Sequence, residues 1–362
     1  MRRPDLSALR AGIPLKVILA TYGIGGAGAM AGYFAGLPLG ILLGAMVAVA
    51  GSAAFGPWLF GHQPSVPQKW RFVLVPVIGV AIGAGFPADF LDQATRWWAT
   101  LLALVVFVPT THALGFWIYR RSGIDKQTAY FAAMPGGFIE SLEMGDKANA
   151  DMVMLVMLQF LRLILCIVFV PILFALFSGH AVGSSAGLSL SANHDPLRAL
   201  DVVVLIALGV GGWWIANLLK FPAAILSGPL LLSAVAHAAG MTTAVPPGWA
   251  VLVTQWIVGA SLGARLAGFQ RAKAFLAIRL AVVNVASMMA IACVIAFALS
   301  RPVDEPIGAV ILAFAPGGVS EMALVALSLH MSAVYVTLHH LLRIILAVFV
   351  SRLGLRLLER AH

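Results

Sequence analysis

Two stretches of this chain read Pro135-Gly136-Gly137-Phe138-Ile139-Glu140 and Pro316-Gly317-Gly318-Val319-Ser320-Glu321. Proline removes a backbone donor and glycine loosens a helix, so each stretch predicts an interrupted helix with an acid just after the break. An arginine follows each motif at the same spacing, Arg162 in the first half and Arg343 in the second. The chain is therefore predicted to be a duplication in which each half carries one broken helix.

The composition indicates that these motifs lie in a membrane. Hydrophobic residues make up 61% of the 362 residues and charged residues 10%, against about 25% charged residues in ordinary soluble domains. The mean hydropathy is +0.98, and apolar runs of about 20 residues, long enough to span a bilayer, follow one another along the chain. We therefore predict an all-α polytopic membrane protein whose environment is the lipid bilayer.

The net charge of +9 does not indicate a nucleic-acid-binding protein. Basic residues of membrane proteins collect in cytoplasmic loops, and no extramembrane module that could bind DNA fits between the apolar runs. We expect no nucleic-acid partner. The bacterial inner membrane is the expected location.

Each half contains six apolar segments, which divides the chain into membrane repeat 1 at 1–180, a linker at 181–198 and membrane repeat 2 at 199–362. Further pairs of matching residues occur in the same order in both halves. They are the run from Pro38 to Gly44 with that from Pro222 to Gly228, and Gly79 and Gly83 with Gly259 and Gly263.

Loop charges predict that the two repeats are inverted. The loop at 86–97 contains Asp89 and Asp92, whereas its counterpart at 265–279 contains four basic residues and no acid. Cytoplasmic loops are enriched in basic residues, so equivalent loops are expected on opposite sides. This requires about five spanning helices per repeat, with each Pro-Gly-Gly segment re-entrant, and both termini cytoplasmic. Twelve crossings with parallel repeats is the alternative.

The acids after the breaks are candidate ion-binding groups. Unpaired backbone groups at membrane depth persist only where they face protein or water, and helix N-termini favour negative charge. Three roles are open for Glu140 and Glu321: each caps its own helix, binds a coupling proton or Na⁺, or repels a wrong substrate. Ser320 is expected to line the same cavity.

The arginines are candidate substrate-binding groups. Arg162 and Arg343 fall near the middle of apolar segments, where a charge is costly and is either paired or faces a cavity. They either hold an anionic substrate or form structural ion pairs with the glutamates. Gln159 and His340 lie on the same helix faces as the arginines, and His340 either carries a proton or is a hydrogen-bonded core residue.

Other chemistry is less well supported by the sequence. Asp151, matched by Ser332, departs from the symmetry and is expected to face a loop. No metal-ligand spacing such as HExxH or a Cys/His cluster occurs, so no catalytic metal or cofactor is expected beyond a coupling H⁺ or Na⁺. The predicted binding residues are Pro135, Gly136, Gly137, Glu140, Gln159, Arg162, Pro316, Gly317, Gly318, Ser320, Glu321, His340 and Arg343.

The two motifs, together with His339-His340-Leu341-Leu342-Arg343, resemble the AbrB-type integral membrane proteins, which are built from two copies of one domain. Members of that family carry the labels gene regulator or ammonia monooxygenase, but the residues support a secondary transporter better. We predict a non-enzymatic transporter of a small organic anion or zwitterion with an elevator-like cycle, which is compatible with a homodimer. A membrane-embedded regulator acting through a partner and a cation/proton antiporter are the alternatives.

Overall fold

A computed structural model describes residues 12–37, 39–55, 59–86, 93, 95–178, 198–221, 223–265, 271–329 and 331–360. The acidic loop residues Asp89 and Asp92, the loop residues 266–270, Pro38, Pro222, and the linker up to residue 197 lie outside these ranges. Since the two acids of the first loop lie outside the described residues, the inversion stays a prediction.

The described part of the chain forms fourteen helices and no strand. Each predicted Pro-Gly-Gly segment is divided into two short helices. In chain order the helices are α1 (Leu15–Phe34), α2 (Gly40–Phe55), α3 (Gln68–Ala84), α4 (Trp98–Arg121), α5 (Lys126–Ala132), α6 (Phe138–Lys147), α7 (Met152–Ser178), α8 (Ala199–Leu218), α9 (Ala224–Ala238), α10 (Gly248–Ala264), α11 (Arg271–Leu299), α12 (Ile307–Phe314), α13 (Val319–Ser328) and α14 (Ala333–Arg360).

Six of these helices, α1, α4, α7, α8, α11 and α14, are long and apolar enough to cross a membrane. Four more, α2, α3, α9 and α10, are apolar but shorter. The protein is thus a multi-pass helical membrane protein, and the predicted all-α polytopic fold is confirmed.

The helices divide into two compact units. Unit 1 comprises Met1–Phe86 with Pro171–Phe269, and unit 2 comprises Pro87–Val170 with Gln270–His362. Each unit combines one stretch from the first half of the chain with the corresponding stretch from the second half. Unit 1 holds α1–α3 and α8–α10, whereas unit 2 holds α4–α6, most of α7, and α11–α14.

Glycines bring the backbones of unit 1 into direct contact. A Cβ added at Gly44 of α2 would overlap the carbonyl oxygen of Gly28 in α1, and one added at Gly228 of α9 would overlap that of Gly212 in α8. Small residues permit such close helix packing in a membrane, where the lipid provides no hydrophobic driving force. The first two helices of each half therefore form equivalent pairs.

The glycine pairs matched in the sequence also have equivalent contacts. Gly79 and Gly83 of α3 pack against backbone carbonyls of α9, and Gly259 and Gly263 of α10 pack against backbone carbonyls of α2. Each third helix thus packs on the second helix of the other half. Unit 1 is therefore held together by contacts between helices from different halves of the chain.

Candidate functional site

Both Pro-Gly-Gly motifs interrupt helices of unit 2. α5 ends at Ala132 and α6 begins at Phe138, while α12 ends at Phe314 and α13 begins at Val319. At 1.5 Å per residue these helices of 7 to 10 residues are about 10 to 15 Å long, and a hydrocarbon core is about 30 Å thick. The predicted breaks are present, and none of these half-helices spans a bilayer alone.

The two motifs need glycine before the second half-helix for different reasons. Gly137 has φ 69°, a left-handed conformation that glycine adopts readily. Gly318 has φ −79°, but a Cβ there would overlap the carboxylate of Glu321. Backbone conformation requires glycine in the first break, and space for a carboxylate requires it in the second.

The remaining motif residues pack closely around the breaks. Pro135, Gly136, Pro316 and Gly317 are buried, and Ser320 is half-buried in the first turn of α13. A Cβ at Gly136 would lie 3.5 Å from Cα of Ile344, so the first break lies against α14. Helices from both halves of the chain therefore surround that break.

Both glutamates lie at the positive ends of half-helices. Glu140 is in the first turn of α6 and half-buried, and Glu321 is in the first turn of α13 and 7% exposed. A Cβ at Gly137 would lie 3.1 Å from Oε2 of Glu140, so each carboxylate folds back over the glycine preceding its helix. This is the position in which N-terminal amides favour an anion.

The two arginines bind the carbonyl ends of the preceding half-helices. Arg162 of α7 donates from Nη1 to the carbonyl of Met134, and Arg343 of α14 donates from Nη1 to the carbonyl of Ala315. Arg343 also donates from Nη2 to the carbonyl of Gly317 at 2.9 Å. Helix C-termini carry partial negative charge, which stabilises a guanidinium there.

The residue three positions before each arginine has the same role in both halves. Gln159 donates from Nε2 to the carbonyl of Phe131 at 2.8 Å, and Nε2 of His340 lies 2.8 Å from the carbonyl of Leu312. A carbonyl only accepts, so Nε2 of His340 carries hydrogen, and Nδ1 accepts from Arg343 at 3.2 Å. Both ring nitrogens of His340 are occupied when the ring is neutral.

The structure places the arginines beside carbonyls rather than carboxylates. Arg96 forms an ion pair with Asp304 at 3.6 Å and Lys273 forms one with Asp151 at 3.0 Å, and neither pair includes Arg162 or Arg343. The expected alternative of Glu–Arg ion pairs is therefore not formed. That expectation considered only carboxylates as partners of the arginines, whereas a broken helix also offers its own backbone carbonyls.

Positive charge is concentrated between α7 and α14. Arg162 and Arg343 are each 2% exposed. The two guanidinium groups repel each other electrostatically, and both interact electrostatically with the thiol of Cys166. Among the described residues, the Nε atoms of both arginines and Oε1 of Gln159 are buried without a hydrogen-bond partner. Buried polar groups are usually paired, so this cluster can accept further polar contacts.

One equivalence escaped the sequence reasoning. Asp151 accepts from the amides of Val153 and Met154, and Ser332 accepts from the amide of Tyr335 at 3.1 Å. Both residues therefore cap the N-terminus of the helix that carries the arginine. The signal was present in the sequence, because Asp and Ser are preferred N-cap residues.

We expect Asp151→Ala to destabilise the fold by about 1 kcal/mol, the usual loss for an N-cap. Partial burial raises the pKa of Asp151, but hydrogen bonds from Lys273 and from the amides of Met154 and Val153 outweigh it, so the pKa lies below its usual value. The stabilisation is therefore fully present above the unfolded pKa of about 4 and is lost as pH falls through the lower folded pKa.

Unfolding of wild type, Asp151→Ala and Lys273→Met would be compared at neutral pH and below pH 4. Because the Lys273 ion pair is exposed, Lys273→Met should cost less than about 1 kcal/mol. Equal losses in both variants at neutral pH would contradict the capping role.

Within the part of the chain that is described, no cluster of three His, Cys, Asp or Glu residues is arranged to hold a metal ion. The site thus consists of two helix breaks, two glutamates at half-helix N-termini and two arginines at half-helix C-termini. It contains the residues of both repeats in equivalent positions. Its chemistry is that of charge binding at interrupted helices.

Comparisons with known proteins identify the family of this chain. The sequence profile described as "Transition state regulatory protein AbrB" matches residues 41–359. The chain is 24% identical over 342 residues to "Uncharacterized protein YhjN" of Bacillus subtilis, covering 90% of this chain and 89% of that protein. It is 23% identical over 295 residues to "Putative regulator AbrB" of Escherichia coli, covering 80% and 81% of the two chains. Since the profile spans most of the sequence and both breaks, the chain belongs to the AbrB family of membrane proteins.

Proposed function

We propose that this protein is a secondary active transporter of a small organic anion or zwitterion, coupled to H⁺ or Na⁺, in the bacterial inner membrane. The observation that carries the proposal is the buried pair Arg162 and Arg343, whose hydrogen-bond partners are neutral groups. Burying a charge is costly unless it is compensated. An anionic ligand beside the two guanidinium groups supplies that compensation.

Glu140 and Glu321 take the coupling ion in this proposal. Each carboxylate lies at the N-terminal end of a half-helix, the position that also suits the carboxylate of a substrate. Two anions near one helix end repel each other, so binding of H⁺ or Na⁺ to a glutamate favours binding of the substrate. In this proposal the coupling ion and the anionic substrate are therefore transported in the same direction.

The wider scheme extends the same proposal. The repeats are inverted, the two broken segments are re-entrant, and ten segments cross the membrane with both termini in the cytoplasm. One bundle moves in an elevator-like cycle, and a homodimer supplies the fixed scaffold. The support for this scheme is the duplicated broken helix, which is typical of secondary transporters.

We expect Glu321→Gln to abolish the ion dependence of ligand binding, because the amide cannot bind H⁺ or Na⁺ as a carboxylate does. Purified protein would be screened by thermal shift against organic anions, amino acids and cations, from pH 5 to pH 8, with and without Na⁺. A ligand at a hundredfold excess over its Kd stabilises the folded state by about 2.7 kcal/mol. Any stabilising compound would then be tested as a labelled substrate for uptake into proteoliposomes.

Glu140→Gln tests the equivalent position, and Glu143→Gln is the matched control, since Glu143 is an exposed acid of the same helix. The proposal is supported if ligand binding loses its ion dependence in Glu321→Gln and in Glu140→Gln but keeps it in Glu143→Gln. Equal ligand responses in all three would contradict it. Binding of cations alone would favour a cation/proton antiporter, and binding without flux would favour a regulator, as the name of the Escherichia coli relative says of that protein.

A further inference from the structure

The two halves of the duplication differ at the residue three positions before the buried arginine. In the second half, Nδ1 of His340 accepts from Arg343 at 3.2 Å and Nε2 donates to the carbonyl of Leu312 at 2.8 Å, so both nitrogens are used. In the first half, Oε1 of the matched residue Gln159 is buried without a hydrogen-bond partner among the described residues. The first break therefore has a free acceptor that His340 does not offer at the second.

Backbone carbonyls fix the orientation of the Gln159 amide. Its Nε2 lies 2.8 Å from the carbonyl oxygen of Phe131, 3.2 Å from that of Ala132 and 3.4 Å from that of Met134. A carbonyl oxygen only accepts, so the amide nitrogen must face these three atoms and the amide oxygen must face away from them. The unpaired atom is therefore an acceptor.

An unpaired donor lies beside this acceptor. Gln159 and Arg162 are three residues apart on α7, a spacing that places two side chains on one helix face with about 5 to 6 Å between their Cβ atoms. Both also contact the carbonyl of Met134. Nε of Arg162 has no hydrogen-bond partner within the described part of the chain, and both residues are at most 2% exposed. An acceptor and a positively charged donor are thus unpaired at the same place.

Arg343 brings a second guanidinium group to the unit that contains this break. A Cβ at Gly136 would lie 3.6 Å from the backbone carbonyl oxygen of Arg343, so α14 packs against the first break at that residue. Nε of Arg343 is likewise buried and unpaired among the residues that the structure describes. The first break therefore combines positive charge with the free oxygen of Gln159.

We propose that the ligand of this site is an α-amino acid, whose carboxylate binds the guanidinium groups and whose ammonium donates to Oε1 of Gln159. The inference rests on the proposed transport of an anion or zwitterion and narrows its substrate class. Guanidinium N–H groups match the two oxygens of a carboxylate. An α-ammonium lies one carbon away from its carboxylate, which suits a donor and an acceptor that are neighbours on one helix face.

The free oxygen of Gln159 discriminates between amino acids and simple carboxylic acids. A carboxylic acid without an amino group leaves Oε1 buried and unpaired, which weakens its binding. Sites that hydrogen-bond an N–H group of a ligand reject analogues without that group for this reason. Gln159 is therefore a specificity-determining residue in this proposal, and the arginines bind the group that both classes of ligand share.

Entry of the ligand requires the first break to move. The unpaired atoms are enclosed, and the contact of Gly136 with α14, at 3.5 Å from a Cβ to Cα of Ile344, closes one side of the break. Opening of this contact in the proposed transport cycle admits the ligand. Its return excludes water from the polar contacts.

The first test compares Kd values for matched pairs of ligands by isothermal titration calorimetry of the purified full-length protein at pH 7. Each amino acid of a panel is paired with the carboxylic acid that lacks its amino group, such as alanine with propionate and glutamate with glutarate. We expect the preferred amino acid to bind about 10- to 100-fold more tightly than its partner, the usual effect of a hydrogen bond that involves a charged group. Its N,N,N-trimethyl derivative keeps the positive charge but has no N–H group, and should lose this preference.

The second test uses Gln159→His, which copies the matched residue of the second half. The imidazole can donate to a carbonyl of the break and accept from Arg162, as His340 does with Leu312 and Arg343. The substitution therefore keeps the contacts of the break and removes the free oxygen. We expect this variant to bind the amino acid and the carboxylic acid equally, with the Kd of the carboxylic acid and the melting temperature close to those of wild type.

The possible contrary results separate this inference from the proposed function. If wild type binds carboxylic acids as tightly as amino acids, the amino-acid inference is wrong while anion transport stands. A preference for amino acids that persists in folded Gln159→His also overturns the inference, because Oε1 then does not bind the ammonium. If Gln159→His does not fold, the trimethyl derivative decides, since tight binding of that derivative contradicts a hydrogen bond from the ammonium. If wild type binds neither class, the inference and the proposed function fail together.

Discussion

Replacing Arg343 by methionine is expected to lower the free energy of unfolding by about 3 kcal/mol, because buried carbonyls that lose their donors cost about 1 to 3 kcal/mol each. Arg343 is 2% exposed and donates to the carbonyls of Ala315 and Gly317 on both sides of Pro316. Methionine fills most of the volume but donates no hydrogen bond. Removal of the buried charge offsets part of this loss. The carbonyls left without a donor outweigh that gain, so the free energy of unfolding falls.

The measurement is unfolding in mixed micelles, with Arg352→Met as the matched control. Arg352 is an exposed arginine of the same helix α14, so its replacement should change stability by less than about 0.5 kcal/mol. Arg343→Lys keeps the charge with a single donor group and should fall between wild type and Arg343→Met. If Arg343→Met is as stable as the control, the arginine does not hold the break in place, and its role is confined to ligand binding.

Gly44→Ala is expected to destabilise unit 1 by about 3 kcal/mol, the upper end of the usual cost of overpacking. The added Cβ would overlap the carbonyl oxygen of Gly28, which belongs to the backbone of α1 rather than to a flexible side chain. The two helices must separate to accommodate it. Separation also breaks the neighbouring contact between Gly32 and Gly40, so the loss extends over the length of the helix pair.

Gly51→Ala in the same helix is the control, since nothing lies within 4 Å of a Cβ at Gly51. Alanine is a better helix former than glycine by up to about 1 kcal/mol, so this variant should match or exceed wild-type stability. Thermal unfolding of the two variants in detergent gives the comparison. Equal stability of Gly44→Ala and Gly51→Ala would show that α1 and α2 are not in backbone contact.

The sequence alone determined that the protein lies in a membrane, that the chain is duplicated, and where the Pro-Gly-Gly motifs interrupt its helices. Composition and the length of apolar runs depend on no tertiary contact, and Pro-Gly-Gly interrupts a helix through local geometry. The match of Gly79 and Gly83 with Gly259 and Gly263 was recognisable as a repeat because it depends only on sequence position. The matched positions of Gln159 and His340 followed from spacing as well.

Tertiary structure decided which groups the repeated residues contact and how the halves are assembled. Spacing places Arg162 and Glu140 in successive segments, but only folding shows that the guanidinium binds the carbonyl of Met134 instead of a carboxylate. The interleaving of the halves into two units was equally beyond local reasoning. Hydrogen-bond partners and packing partners lie far apart along the chain, and the choice among them depends on which helix ends and which glycine surfaces come into contact when the chain folds.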